Sequence, residues 1–346
     1  MQTQPAFLVT GATGWLGKRL VRLMSCGYCD LPKDAPIRCL TLPEQDHAEL
    51  QAMSPSIQTL SGDLRNPEDC RLFCAGGRGA VLIHTAGIIH PRRVREFYDI
   101  NVQGTGNLLD AARGAGVRRA VVVSSNSPAG CNPHPDHLFD EHSPFHPYMN
   151  YGRSKMLMEQ AAASFHKAGD LETVIVRPPW FYGPEQPPRQ TVFFSMIKEG
   201  KGPIVGGGAN LRSMAYLDNL VQGLLLAART PAAAGQTYWI ADRRPYSMTE
   251  IIDTVERLLD REFRIKVAHR RLRLPGIAAD LAELADTVLQ SAGLYHQKIH
   301  VLGEMNKTIA CSIAKAEREL GYSPEVELEE GMRRSIAWCL DRGVQI

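Results

Sequence analysis

The sequence has no uninterrupted apolar run near the roughly 18 residues that a membrane-spanning helix requires. It has no strong charge of either sign: 39 Lys and Arg stand against 37 Asp and Glu, a formal charge of +2. That near balance gives no electrostatic case for nucleic acid or for an anionic membrane surface. No internal repeat or low-complexity stretch is present. The opening "MQTQPAFLVTGATG" enters a strand pattern with neither a basic n-region nor a cleavable apolar stretch, so the cytoplasm is the expected location. The eight cysteines lack the spacing of a disulfide framework in a chain this long. "CGYC", Cys26 and Cys29, is followed by no second CxxC and no suitably spaced histidine pair. His134, His137, His142 and His146 fall irregularly among prolines, as in a polar surface loop. No metal site is expected.

What is present is an ordinary globular composition over 346 residues, 44% hydrophobic and 22% charged. That length suits one large α/β domain or two unequal ones. Short apolar strands alternate with helical patterns: "AFLVT", "IRCLTL" (37–42), "IQTL" (57–60), "AVLIHTAG" (80–87), "RRAVVVSS" (118–125) and "LETVIVRPP" (171–179). Runs of Val, Leu and Ile in such strands imply a parallel sheet covered on both faces. Right-handed crossovers then give an α/β fold with a doubly wound parallel sheet, ligands lying outside the carboxyl ends of the strands. The "GATG", "HTAG", "SSNS" and "RPPW" turns all lie at such ends. Residues 1–179, with 213–246 returning to them, form the expected dinucleotide-binding (Rossmann) domain. Residues 180–212 and 247–346 form a smaller, mainly helical substrate domain, whose amphipathic segment 274–293 helps build the cleft.

Gly11, Gly14 and Gly17 form GxxGxxG between the first strand and the first helix. Without side chains they let the backbone approach a pyrophosphate at the helix N-terminus. At the end of the second strand, Thr41-Leu42-Pro43-Glu44 shows neither a clean acid for a ribose 2′-hydroxyl nor an arginine for a 2′-phosphate. NAD and NADP both remain open. Asp63 in "GDL" reads as an acceptor for the adenine amino group or as a helix cap.

Tyr151 and Lys155, in "NYGRSK", stand one helical turn apart and share a face. A phenol with pKa near ~10 is too weak a base at neutral pH. A cation about 4 Å away at an effective dielectric of ~20 is worth roughly 4 kcal/mol, near three pKa units. Lys155 and a positive nicotinamide ring can thus bring the phenol into a useful range. Ser124 or Ser125, at the fifth strand's end, would hold the substrate oxygen. Tyr148 lies seven residues from the lysine and shares its face less directly.

"TGATGWLG", "GDL", "HTAG", "NVQGTGNLLDAA", "VVVSS", "YGRSK" and "RPPWFYGP", in this order, resemble the extended short-chain dehydrogenase/reductase superfamily. The likeness extends over essentially the whole chain. The resemblance implies an NAD(P)-dependent enzyme with Tyr151 as acid/base, Lys155 as the ribose-binding cation that lowers the tyrosine pKa, and Ser125 as the orienting hydroxyl, with Ser124 beside it. It implies cofactor contacts from Gly11, Thr13, Gly14, Trp15, Leu16 and Gly17 at the first turn. Asp63, Leu64, Thr85, Ala86, Gly87, Asn101 and Pro178 complete that set, together with Tyr151 and Lys155. It also implies a homodimer through helices near 92–115 and 150–166, with Val102, Leu108, Leu109, Met156 and Leu157 divided between that interface and the core.

Dehydratases of the superfamily carry "TDEVYG" after the fifth strand, where this chain has "SSNSPAG" without the Asp-Glu pair. Many sugar-nucleotide epimerases place Asn where Trp180 stands. Both departures, with the apolar 274–293 helix, resemble the 3β-hydroxysteroid dehydrogenase-like and dihydroflavonol reductase-like branch. The implied reaction is hydride exchange between nicotinamide and a secondary alcohol or ketone, with Ser124, Asn126, Trp180 and Arg212 toward the small-molecule substrate. Arg212 matches an arginine that grips a substrate diphosphate, which keeps a nucleotide-sugar epimerase or reductase as the alternative; a salt bridge across the cleft is its other reading. A non-catalytic nucleotide sensor is a third reading, against which the intact Ser, Tyr and Lys argue.

Overall fold

A computed structural model describes residues 4–346. Six strands and five helices alternate through the first half: β1 (Phe7–Thr10), α1 (Trp15–Ser25), β2 (Ile37–Thr41), α2 (Ala48–Met53), β3 (Ile57–Ser61), α3 (Pro67–Cys74), β4 (Val81–His84), α4 (Thr105–Gly114), β5 (Arg119–Val123), α5 (Met149–Lys167) and β6 (Glu172–Arg177). Then follow β7 (Trp180–Tyr182), α6 (Pro188–Lys198), β8 (Pro203–Val205), β9 (Leu211–Arg212), β10 (Met214–Tyr216), α7 (Leu217–Arg229), β11 (Thr237–Trp239) and β12 (Tyr246–Ser247). The chain ends with α8 (Met248–Arg257), β13 (Leu272–Leu274), α9 (Ile277–Ser291), α10 (Gln297–Glu304), α11 (Ala314–Leu320) and α12 (Leu328–Asp341).

The main sheet is parallel, in the order β11-β6-β5-β4-β1-β2-β3. The order reverses between β1 and β4, which opens a crevice at their carboxyl ends. Strands β1, β2, β4 and β5 are buried along their whole length. That matches their near-continuous apolar runs: a parallel sheet has no wet face to favour alternation. One core cluster joins α1, α7 and β11 on one side of the sheet, and another joins α3, α4 and α5 on the other. Helix α7 is buried over most of its surface, and Gly223 faces Ile240, where a Cβ would come within 2.6 Å of that side chain.

A third cluster, from α6, α8, α12 and the short strands, forms the smaller unit. The last third of the chain is not all in that unit. Cys311, Ile313, Ala316, Leu320 and Tyr322 pack into the core beneath the main sheet. Ahead of α4 the helix is wound as a π-helical stretch, Phe97–Gly104, where the sequence pattern suggests a plain helix. Leu108 and Leu109 belong to the core, whereas Val102, Met156 and Leu157 are only half-buried. Among the described residues no helix is long and apolar enough to cross a membrane, and no group of three His, Cys, Asp or Glu is placed to hold a metal ion.

Candidate active site

The β1–α1 turn is built by close approach. Gly11 has φ 71°, in the region that favours glycine, and a Cβ there would lie 2.6 Å from the Ala86 nitrogen and 2.7 Å from Thr85 Oγ1. A Cβ on Gly17 would collide with the Gly11 carbonyl. Gly14 caps α1 without a side chain, leaving the first helical N–H groups directed outward. This is a cradle that any added side chain would fill, and it fits the pyrophosphate of a dinucleotide. Leu16 is buried in the core behind it. Trp15 packs on Phe181 and donates to the Pro184 carbonyl at 2.7 Å, tying the turn to the loop after β7. Thr13 donates to Gln45 at 2.6 Å, which closes the end of β2 against the turn.

Under the turn a polar pillar is fully bonded. His84 bridges Thr10 (2.7 Å) and Thr105 (2.8 Å), and burial pushes its pKa down to about 3, so the ring stays neutral. The Thr85 hydroxyl donates to the Thr10 carbonyl at 2.7 Å. Asn101 is 1% exposed and spends its amide on Ile88 N, Ile88 O and Ser154. It thereby shapes the Gly87–Ile88 turn and does not turn its side chain outward. Pro178 is buried beside the end of β6. Asp63 forms an Asx-type turn with Arg65 N (2.8 Å) and an ion pair with the Arg65 guanidinium (2.5 Å), which holds its carboxyl below the usual range. The cap of α3 is Asn66, whose side chain accepts from Glu68 N, so the capping role suggested for Asp63 belongs three residues on. Leu64 packs in the core, and its carbonyl accepts from Asn107.

The two serines after β5 part company. Ser124 is buried and donates to Glu159 at 2.5 Å; Glu159 in turn forms a buried pair with Arg177 at 2.6 Å. Its hydroxyl therefore faces inward, away from a substrate. Ser125 lies close enough to Tyr151 to favour its phenolate. Asn126 is half-buried beside it, its amide oxygen 3.4 Å from Ser125 Oγ. Lys155 is 4% exposed and donates to the Val123 carbonyl at 3.0 Å. A Cβ on Gly87 would lie 3.2 Å from its Nζ. Ser125, Tyr151, Lys155 and the Gly87 turn thus meet at one point, outside the carboxyl ends of β4 and β5.

The electrostatics of these groups differ from the lowering expected for the phenol. Burial pushes Tyr151 up to about 12, opposed by the nearby Ser125 hydroxyl and assisted by the Glu304 carboxylate. Burial brings Lys155 down to about 8, opposed by Glu159. The chain's own groups favour a protonated tyrosine, so lowering it depends on positive charge brought close to the ring.

Four residues that spacing alone did not pick out, Phe97, Tyr295, His90 and His300, form a chain of ring contacts that starts at the phenol. Phe97 packs on Tyr151 at 5.7 Å and on Tyr295 at 5.5 Å. The Tyr295 hydroxyl meets His90 Nδ1 at 2.8 Å. His300 lies against Tyr295 and Tyr148 and pairs with the buried Asp286 at 2.7 Å. Trp180 stacks edge-on to Phe193 and donates to Gln190. Arg212 donates to the Glu304 carbonyl, not to a carboxylate across the cleft, and its Nε is buried without a partner. The Tyr148 hydroxyl is also buried without a partner.

Known proteins share this arrangement to different degrees. Residues 7–241 match the sequence model described as the NAD dependent epimerase/dehydratase family. An uncharacterized protein, y4nL, of Sinorhizobium fredii is 54% identical over 98% of this chain and 96% of its own. A 3beta-hydroxysteroid-dehydrogenase/decarboxylase isoform of Arabidopsis thaliana is 29% identical over 97% of this chain and 80% of its own. Among solved structures, DesIV, a dTDP-glucose 4,6-dehydratase of Streptomyces venezuelae with NAD and TYD bound, is 26% identical with a TM-score of 0.76, covering 97% of this chain and 98% of its own.

Proposed function

The chain belongs to the NAD dependent epimerase/dehydratase family and is an enzyme of the short-chain dehydrogenase/reductase superfamily; within it, we propose that the protein exchanges a hydride between nicotinamide and a secondary alcohol or ketone. The observation that carries this reading is the meeting of Ser125 and Tyr151 with Lys155 and the Gly87 turn at the end of β5, Lys155 standing one turn along α5 from Tyr151. The β1–α1 cradle and the Gly87 turn would hold the dinucleotide. Bound there, its nicotinamide ring gives or takes the hydride. During reduction, Tyr151 donates its phenolic proton to the carbonyl oxygen while Ser125 donates a hydrogen bond to the same oxygen. During oxidation, the phenolate takes that proton back from the hydroxyl. Lys155 holds positive charge behind Tyr151 and stabilises the phenolate.

Two features separate this reaction from dehydration. The residues after β5, Ser125-Asn126-Ser127, offer hydroxyls and an amide where elimination of water needs an acid and a base. The half-buried Tyr295 and Trp180 give the cleft aromatic surface, which suits a ketone on an apolar skeleton, as does the likeness to a hydroxysteroid enzyme. We read the adenosine end as favouring NAD: Glu44 and Asp63 both act on Arg65, the nearby cation, and would repel a 2′-phosphate. One observation favours a second reading, a nucleotide-sugar epimerase or reductase. Arg212 Nε is buried with no partner, and a diphosphate would satisfy it.

Purified protein should be assayed for bound nicotinamide, then incubated with hydrophobic 3-hydroxy and 3-oxo compounds and with UDP-hexoses. Net change in free nicotinamide absorbance with the first group is expected. Stoichiometric trapped cofactor with sugar epimerisation and a flat absorbance would transfer the assignment to the second reading. We propose a cytoplasmic homodimer joined through α5 and through α4 with the π-helical stretch before it, for which the half-buried Val102, Met156 and Leu157 are available. Sedimentation showing monomer alone at micromolar concentration would refute that assembly.

A further inference from the structure

Helix α9 turns its apolar side outward. Ile277, Leu281, Leu284 and Val288 follow spacings of four, three and four, which set them on one face. They are 62%, 60%, 62% and 61% exposed. The opposite face carries Ala279, Ala282, Asp286 and Gln290, all buried. Leu272 before the helix, with Leu294 and Val301 after it, extends the exposed apolar surface. Soluble monomers rarely leave such a stripe in water without a use for it.

The surrounding charge indicates what covers it. Every Asp and Glu from 253 to 286 lies against a basic side chain: Asp253 and Glu256 against Arg271, Asp260 against His269, Glu262 against Arg333, Asp280 and Glu283 against Lys307, and Asp286 against His300. The cations are in the opposite position. Arg261, Arg264, Lys266, Arg270, Arg273 and Lys298 are exposed, and among the described residues none of their side chains has a hydrogen bond or ion pair. Unpaired positive charge therefore flanks the stripe at both ends of α9. A whole-chain charge of +2 conceals this local surplus.

We propose that this face seats the protein on an anionic lipid surface, the α9 stripe entering the headgroup region and Arg270, Arg273 and Lys298 meeting lipid phosphates. At 15 residues the helix is about 22 Å long, suited to lying in the interface and too short to span it. The seat is the outer side of the cleft. Helix α9 packs on α10, whose His300 touches Tyr295 and Tyr148 beside the catalytic phenol. Docking would place the cleft near lipophilic molecules held in the bilayer. The inference is independent of the proposed reaction, because its readout is vesicle binding rather than turnover.

The test is flotation with vesicles of mixed phosphatidylglycerol and phosphatidylcholine and with vesicles of phosphatidylcholine alone. Wild-type protein is expected to float with the anionic vesicles and to remain behind with the neutral ones. Arg270→Ala and Arg273→Ala should each weaken binding about fivefold at low salt. Leu281→Glu combined with Leu284→Glu should abolish it while circular dichroism and cofactor affinity stay at wild-type values. If that pair fails to fold, Leu281→Ser with Leu284→Ser takes its place. Wild-type protein that ignores anionic vesicles overturns the proposal. So does binding that the leucine variants leave intact, which would be charge attraction alone. A dimer that the same variants convert to monomer also overturns it and assigns the face to a second copy.

Discussion

The pillar beneath the nucleotide turn and the cleft wall opposite it handle buried polar atoms in different ways. Under the turn, Thr10, His84, Thr85, Asn101 and Thr105 all bond to one another or to nearby backbone. Across the cleft, Tyr148 Oη, Arg212 Nε, Asp286 Oδ1 and Asn306 Oδ1 are buried without partners. Each such atom costs about 1–3 kcal/mol. The difference teaches where recognition of each ligand resides. A dinucleotide is received by backbone and by the space that glycines leave, so the side chains below are free to stiffen the turn. The cleft wall keeps unused hydrogen-bonding capacity, and we propose that substrate choice resides there.

The sharpest way to test the pillar side is Tyr151→Phe. Loss of the hydroxyl should lower kcat by on the order of 10²–10⁴. Packing on Phe97 remains, so nicotinamide affinity, measured by fluorescence titration, should be nearly unchanged. A rate within a few-fold of wild type would remove Tyr151 from the chemistry.

Glu159→Gln comes next. It strands the Arg177 guanidinium, 5% exposed, beside the Ser124 hydroxyl that Glu159 also accepts. Breaking such a buried pair costs about 3–5 kcal/mol, read as a lower urea midpoint. Glu159→Gln with Arg177→Met should recover much of the loss. If the single variant is neutral, the Glu159–Arg177 pair does not underlie the stability of this side.

Acid should weaken the same side through His84. Its folded pKa of about 3 lies below the ordinary value near 6.5, so between those limits the unfolded chain takes up a proton that the folded chain refuses. Stability is therefore complete above pH ~6.5 and falls as pH drops, with a limiting slope near 1.4 kcal/mol per unit. Urea midpoints at pH 7, 6 and 5 should fall in step for wild type. They should fall less for His84→Gln, and parallel slopes would refute the assignment.

The same division decides what could be read from the sequence. Strand and helix alternation announced the sheet, because parallel strands are apolar throughout. Gly11, Gly14 and Gly17, or Tyr151 and Lys155, announced themselves because their partners lie within one turn of chain. Spacing alone left Ser124 and Ser125 open, and only the family resemblance favoured Ser125: which hydroxyl faces the cleft depends on where β5 ends, at Val123, and on a buried Glu159 on another element. Tyr295 and Glu304 act on Tyr151 from more than a hundred residues away, with His300 behind Tyr295, and no spacing betrays them. Helix α9 misled in another manner. Its periodicity reports two faces, and the usual inference buries the apolar one. Here the inner face is small or polar, with Asp286 bonding His300 and Gln290 through one carboxylate oxygen and Gln290 accepting from Asn150, and the leucines point out.

The smallest expected effect crosses from one region to the other. Glu304 sits on the cleft wall, and its carboxylate raises the pKa of Tyr151 on the opposite side. Its link to Arg212 runs through the main-chain carbonyl, which Glu304→Gln leaves in place. The substitution therefore removes charge and little else. With that negative charge gone the phenolate is less disfavoured, and Tyr151 titrates at lower pH. In the oxidation direction the enzyme needs the phenolate, so the rising limb of kcat/KM should move to lower pH and the rate at neutral pH should climb a few-fold. A merely structural role for Glu304 would lower the rate at every pH without moving the limb. A limb that stays put, or moves up, would show that the cleft wall does not tune the catalytic tyrosine.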